Sequence, residues 1–186
     1  MLNFVNPKKF IAMNNTPDKE IYARNTLEFV TVAAEFCAFL EQSEGREKGE
    51  FQDTLLKLLP LLYVKAVLVP RVESDGDFLP APQVTEQDYE WIRRVVYDIM
   101  QEDDDYEDLI RDEDMQTDES RWKSISEGLA DMYQALRDFV SSYQQRVEDC
   151  MTDALWAVMD KFELYWGQCL VDTLRQLHRL RYANNA

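Results

Sequence analysis

The chain has 186 residues, of which 46% are hydrophobic, while only 5 are glycine and 6 are proline. This length suffices for one domain with a hydrophobic core, and so few turn-forming residues argue against an all-β sandwich. The formal net charge is −16 and the isoelectric point is about 4.4, which argues against nucleic-acid binding because phosphates would be repelled.

The N-terminal segment, residues 1–15, has neither an apolar core nor a small-residue cleavage site. We therefore expect no signal peptide, a flexible start to the chain and a cytoplasmic location. The most apolar stretch, residues 55–69, is interrupted by charges and is too short to span a bilayer. The 3 cysteines are an odd and low count, which suits free thiols in a reducing compartment.

The first predicted helix begins at Thr16 and Pro17, which suit the capping and first helical positions. Its apolar stripe recurs at helical spacing through Tyr22, Phe29, Ala33, Phe36 and Leu40. The second helix covers residues 50–69 and contains Pro60. Proline inside a helix costs about 3 kcal/mol, but each buried leucine around it contributes about 1.5–3 kcal/mol. We therefore predict one kinked helix, which lies deep because its apolar residues surround it.

A proline-containing connector, residues 70–84, leads to Thr85, which is predicted to cap the third helix. The acidic segment, residues 98–119, follows with 12 of the 36 acids and one base, Arg111. Carboxylates four residues apart on a helix lie about 6 Å from each other, within the screening length of about 8 Å. Their repulsion would fray a continuous helix, so an irregular connecting segment is expected.

The fourth and fifth predicted helices form the C-terminal half. The fourth has a coiled-coil-like seam made by Trp122, Ile125, Leu129, Met132, Leu136, Phe139 and Tyr143. The fifth extends from about residue 147 to Arg181, and its wide apolar stripe predicts a central position. The expected fold is all-α: a single-domain up-and-down bundle, residues 1–186, of about five helices with a kinked second helix and a long central C-terminal helix.

Three leucine-rich stretches carry a resemblance to a known family. They are LLKLLPLLYVKA from Leu55, SISEGLADMYQALRDF from Ser124 and YWGQCLVDTLRQLH from Tyr165. They resemble an uncharacterised bacterial family of all-helical domains of unknown function. The resemblance covers most of the chain and implies a helical single domain, but it implies no reaction and no catalytic residues.

Motifs typical of nucleotide binding or metal binding are missing from the sequence: it has no phosphate-binding glycine loop, no paired CxxC and no HExxH. Its one histidine, His178, excludes a two-histidine zinc site within one chain. The weak candidates for a divalent metal site are Asp98, Glu102 and Asp105, which share one flank of the third helix if it continues that far. No cofactor is predicted.

Two further groups of residues allow alternative interpretations. Glu127, Asp131 and Asp138 point away from the seam of the fourth helix, which indicates a solvent face. Gly128 and Gly167 lie inside apolar helices, where they indicate a close helix crossing or, less favoured, a small pocket near Tyr133 and Trp166.

The leading functional hypothesis is a non-catalytic intracellular adaptor that docks a basic protein surface. The predicted docking residues are Asp103, Asp104, Asp105, Asp108, Asp112, Glu113 and Asp114. The bases Arg175, Arg179 and Arg181 can instead neutralise this segment within the molecule. The alternatives are an acidic nucleic-acid mimic that inhibits a DNA-binding protein and an all-α divalent-metal-dependent hydrolase.

Overall fold

The computed structural model describes residues 19–74, 76–79, 81–110 and 119–183. These residues are mainly helical, which confirms the predicted all-α class. The helices are α1 (Arg24–Glu41), α2 (Lys48–Val67), α3 (Glu86–Met100), α4 (Ile125–Gln144), α5 (Glu148–Lys161) and α6 (Gly167–Tyr182). A π-helical turn, Phe162–Trp166, joins α5 to α6, so that residues 148–182 continue as one helical run. None of the described helices is long and apolar enough to cross a membrane.

The core is built around α4, which packs against α1, α3, α5 and α6. Aromatic rings fill its centre: Phe29 stacks on Phe139 with centroids 5.4 Å apart and on Trp166 at 6.4 Å. The indole Nε1 of Trp166 donates a 2.8 Å hydrogen bond to the Val158 carbonyl, which satisfies a polar group that is fully buried. These contacts fix the π-helical turn against the core.

Helix α2 is continuous through Pro60. One face of it is buried, through Phe51, Leu55, Leu59, Leu62 and Ala66. The expectation that the whole helix lies deep is wrong, because Leu61, Val64 and Val67 are 44–52% exposed. The helix packs mainly against α1 and α6, and these neighbours leave part of its apolar surface uncovered.

Two helix boundaries differ from those predicted. Helix α1 begins at Arg24 after a short 3-10 turn, Glu20–Tyr22. The predicted start at Thr16 and the segment predicted to be flexible, residues 1–15, lie outside the described residues. Helix α4 begins at Ile125, where the Ser124 side chain accepts a hydrogen bond from the Glu127 N–H. Trp122 therefore lies ahead of the helix and does not belong to its seam.

The described part of the acidic segment forms a regular structure, contrary to expectation. Helix α3 ends at Met100, and Gln101 adopts a left-handed conformation with φ 54°. Strand β1 (Asp105–Ile110) then pairs with strand β2 (Glu119–Ser124) in an antiparallel hairpin in which Tyr106 lies opposite Lys123. Side chains alternate between the faces of a strand, so Tyr106 and Asp108 are buried while Asp105 and Glu107 are exposed.

Candidate functional site

A groove of about 290 Å³ lies between the hairpin, the first turns of α4, and the π-helical turn with the start of α6. Each wall contributes both polar and apolar side chains. The residues that matter for its chemistry are Tyr106, Trp122, Lys123, Glu127, Asp131, Leu164, Tyr165 and Asp172. We call this feature the hairpin groove.

An ion network joins the hairpin to α6 beside the groove. The Lys123 Nζ lies 2.8 Å from an Asp108 oxygen and 2.8 Å from an Asp172 oxygen, and the Arg175 Nη2 lies 2.5 Å from the other Asp108 oxygen. The hydrogen bonds from Lys123 and then from Arg175 hold the pKa of the Asp108 carboxyl below its usual range. Burial acts to lower the pKa of Lys123, but its bonds to the two carboxylates outweigh this and raise it. The prediction that C-terminal bases can neutralise the acidic segment holds for Arg175.

A second polar cluster holds an aromatic ring in the groove. The Asp131 carboxylate accepts a 2.9 Å hydrogen bond from the Tyr89 hydroxyl and another from the Tyr165 hydroxyl. The bond to Asp131, with partial burial, raises the pKa of Tyr165. Tyr165 lies on the π-helical turn, so the turn and Asp131 together set the position of its ring.

The acids predicted to form a solvent face have different environments. Asp131 is half-buried, and Asp138 accepts hydrogen bonds from the backbone N–H groups of Gln83 and Val84 at 2.6 and 2.9 Å. Only Glu127 is exposed as expected. The sequence pattern placed these residues opposite the seam correctly, but α3, the π-helical turn and the connector cover part of that face.

The rim of the groove is apolar and open to solvent. Trp122 is 73% exposed, Leu164 is 77% exposed and Tyr165 is 54% exposed. Exposed large apolar side chains that share one concave surface mark interaction sites more often than isolated ones do. This rim is therefore the part of the groove best suited to contact another molecule.

The charge in the groove is negative on balance. Lys123 is already paired with Asp108 and Asp172. In the described part of the chain, no base lies within ion-pair distance of Glu127 or Asp131. The Glu127 carboxylate thus remains available to a cationic group that enters beside the aromatic rim, while Asp131, which accepts from Tyr89 and Tyr165, adds a second negative charge.

Gly128 and Gly167 are both explained by close contacts. A Cβ on Gly128 would lie 2.6 Å from the Thr173 Oγ1, and one on Gly167 would lie 2.5 Å from the Phe162 carbonyl oxygen. Gly128 therefore marks the predicted crossing, here of α4 and α6, and it also lines the groove. At Gly167 the close contact lies within its own helical run and not at a crossing with another helix. The pocket does not involve Tyr133, which donates to Glu41 at 2.9 Å, or the buried Trp166.

The predicted docking acids that the structure describes have different environments. Asp103 pairs with Lys48. Asp104 is buried and accepts hydrogen bonds from the backbone N–H and hydroxyl of Ser126 at 2.8 and 2.7 Å. Asp108 is buried in the ion network, so neither it nor Asp104 is presented to a partner. Asp105 is exposed, while Asp112, Glu113 and Asp114 lie outside the described residues.

The predicted metal candidates are not brought together. Asp98 and Glu102 are exposed, but α3 ends before Asp105, which lies on β1 instead of on the same helical flank. Among the described ranges, no three His, Cys, Asp or Glu residues form a group that could hold a metal ion. His178 is exposed near the end of α6, where its ring lies 4.8 Å from that of Tyr182.

Comparison with known proteins gives a family but no activity. The profile of a family described as a domain of unknown function, DUF5063, matches residues 20–183. The chain is also similar to the crystal structure of protein BF1032 from Bacteroides fragilis, a structural genomics target, with 44% identity and a TM-score of 0.78. That similarity covers 88% of this chain and 99% of the other. No curated protein matches the chain. The resemblance inferred from the leucine-rich stretches is confirmed: the chain belongs to the DUF5063 family.

Proposed function

We propose that this protein is a non-catalytic interaction domain that binds a basic protein segment in the hairpin groove. The observation that carries the proposal is the position of two carboxylates without a paired base, Glu127 and Asp131, beside the exposed rim of Trp122, Leu164 and Tyr165. The docking surface expected along the acidic segment is thus proposed to lie in one groove beside that segment.

The groove suits a protein segment because it combines apolar area with charge. A few residues, among which Trp, Tyr and Arg are enriched, contribute most of the binding energy in protein interfaces, while charge complementarity raises the association rate and selects the partner. The net charge of −16 attracts a basic segment at long range. Asp105 is exposed and lies opposite Ser124, which lines the groove, so it extends the negative surface beyond the groove.

The walls of the groove are fixed before a partner arrives. The ion network ties the hairpin to α6, the Gly128 contact sets the distance between α4 and α6, and Asp131 holds Tyr165. A preformed surface binds with a smaller loss of conformational entropy than a flexible one. We therefore expect binding to leave the backbone of the helices largely unchanged.

Isothermal titration calorimetry tests this proposal. Short basic peptides that contain leucine are titrated into the wild-type protein and into a Glu127→Gln, Asp131→Asn double variant, at low and at high salt. We expect binding that weakens with salt and is about tenfold weaker in the double variant, a loss of about 1.4 kcal/mol. The control is Glu35→Gln, which removes one negative charge from an exposed position on α1. Equal binding to all three proteins, or no binding to any, would refute the proposal.

A further inference from the structure

The structure points to a specific ligand for the hairpin groove, and we infer that it seats an arginine side chain of the partner. In this arrangement the guanidinium group lies among the rings of Trp122 and Tyr165 and pairs with the Glu127 carboxylate. The inference rests on the proposed function, because it names the chemical group that the groove recognises within a basic segment.

A cation suits the groove better than an apolar side chain does. Three aromatic rings and three carboxylates line the same cavity, and among these carboxylates only Asp172 is paired with a base that the structure describes. A cation gains from the negative face of a ring as well as from a carboxylate. An apolar side chain in the same place would bury the Glu127 carboxylate without providing it with a partner, which is costly. Lys123, the basic side chain of the groove wall, is held away by Asp108 and Asp172.

Arginine fits this arrangement better than lysine does. Its planar guanidinium stacks on aromatic rings and can donate two parallel hydrogen bonds to one carboxylate, whereas the ammonium group of lysine is compact and strongly hydrated. Both oxygens of Glu127 are available, because its side chain has no hydrogen bond in the described part of the chain. The molecule itself pairs a guanidinium with a carboxylate nearby, where Arg175 contacts Asp108.

The position of Tyr165 prepares the groove for such a ligand. Its hydroxyl is bonded to Asp131, and its backbone belongs to the π-helical turn that Gly167 allows. π-Helical turns occur frequently at functional sites, where the extra residue directs a side chain that a regular helix would direct elsewhere. Here the turn directs the Tyr165 ring to the groove opposite the hairpin that carries Trp122.

The test compares oligo-arginine, oligo-lysine and oligo-citrulline peptides of equal length. Their binding is measured by calorimetry and by the NMR signal of the Trp122 indole N–H, which is assigned by its loss in a Trp122→Phe variant. We expect oligo-arginine to bind about tenfold more tightly than oligo-lysine. Oligo-citrulline, which has a similar shape but no charge, should not bind. The Trp122 signal should shift with oligo-arginine.

Matched variants separate recognition in the groove from general attraction to an acidic protein. Trp122→Leu and Glu127→Gln should each weaken oligo-arginine binding about tenfold. Two control variants should leave oligo-arginine binding unchanged. They are Tyr97→Leu, which changes an exposed aromatic side chain on α3, outside the groove, and Glu35→Gln. Trp122 is 73% exposed, so its variant should fold, which an unchanged melting temperature would verify.

The outcomes distinguish this inference from the proposed function. If oligo-arginine and oligo-lysine bind equally tightly, and both lose binding in the Glu127→Gln, Asp131→Asn double variant, the inference of arginine selectivity is overturned. The proposed function then stands, with a groove that recognises positive charge alone. Binding that is unaffected by Trp122→Leu and Glu127→Gln would place the ligand elsewhere. The absence of binding by any basic peptide would overturn both proposals.

Discussion

Gly128 and Thr173 lie in direct contact where α4 crosses α6, so that a methyl group on residue 128 would lie 2.6 Å from the Thr173 Oγ1. Both residues also line the hairpin groove. The crossing therefore sets the separation of the two helices that form the groove walls, and a change in packing at this point should affect both stability and binding.

Replacing Gly128 with alanine should destabilise the protein. Alanine favours the helix by up to about 1 kcal/mol, but an overpacked contact costs about 1–3 kcal/mol, so we expect a net loss of about 1 kcal/mol. Urea denaturation measures this loss. In a Thr173→Ala background the clash is absent, and Gly128→Ala should then be neutral or stabilising. An equal loss in both backgrounds would show that the contact is not the cause.

Replacing Gly167 with alanine should have a larger effect. The added methyl group would lie 2.5 Å from the Phe162 carbonyl oxygen and 2.9 Å from the Phe162 ring, and a backbone atom inside a helix cannot move away as a flexible side chain can. The π-helical turn must then rearrange, which moves Tyr165. We expect a lower melting temperature by calorimetry and altered NMR signals of Tyr165. A variant with unchanged signals would contradict this role of Gly167.

The helical segments could be predicted from the sequence because their signals are local. Thr85 accepts a hydrogen bond from the Asp88 N–H at 3.1 Å, and the Asp88 carboxylate accepts one from the Thr85 N–H at 3.0 Å. The position of Thr85 just before an apolar stripe predicts this cap. The amphipathic spacing of α3 and α4 likewise matches the residues that are buried.

The hairpin could not be predicted in the same way. Charge repulsion disfavours a helix in the acidic segment, but it does not disfavour a strand whose buried acid is neutralised by bases from elsewhere in the chain. Arg175 is 67 residues from Asp108, so no local pattern reveals the pair. Trp122 precedes Ile125 by three residues, a spacing that predicts one helical seam but that a strand followed by a helix also reproduces by chance.

The hairpin groove was missed for a related reason. Leu164 and Tyr165 belong to a wide apolar stripe in the sequence, which gives no sign that the π-helical turn leaves both of them exposed. The glycines gave a usable signal, since a pocket at Gly128 was one of two interpretations. The other residues that line the pocket at Gly128 come from the hairpin, the π-helical turn and α6, and only the three-dimensional structure brings these elements together.

Removing the charge of Asp108 should destabilise the protein in a pH-dependent way. Because its pKa is lower in the folded protein than in the unfolded chain, its contribution is present above the ordinary carboxyl pKa and is lost as the pH falls through the folded value. We expect Asp108→Asn to cost about 1–2 kcal/mol at neutral pH, since Lys123 and Arg175 remain partly exposed.

Denaturation curves across the acidic range test this prediction. The difference between wild type and Asp108→Asn should shrink below about pH 4. Asp105→Asn provides a matched control, because Asp105 lies on the same strand but is exposed, and it should change stability little. A cost for Asp108→Asn that is constant with pH would show that the ion network does not stabilise the fold.

Replacing Asp104 with asparagine should affect stability differently from the same replacement at Asp108. Burial raises the pKa of its carboxyl, and the hydrogen bonds from Ser126 only oppose this. Asparagine keeps an acceptor for the Ser126 N–H without a buried charge, so Asp104→Asn should equal or exceed the wild type in stability at neutral pH. Alanine leaves that N–H without its acceptor and should cost about 1–3 kcal/mol in urea denaturation. Equal stability of the two variants would contradict this account.

The central claim is that the hairpin groove is the surface that binds a basic segment, and amide NMR shift mapping during titration with oligo-arginine tests it most directly. The account predicts that the shifts concentrate around Trp122, Glu127 and Tyr165 and spare the exposed acids Glu35 and Asp160. Shifts of equal size at Glu35 and Asp160, or shifts that avoid Trp122 and Tyr165, would contradict it.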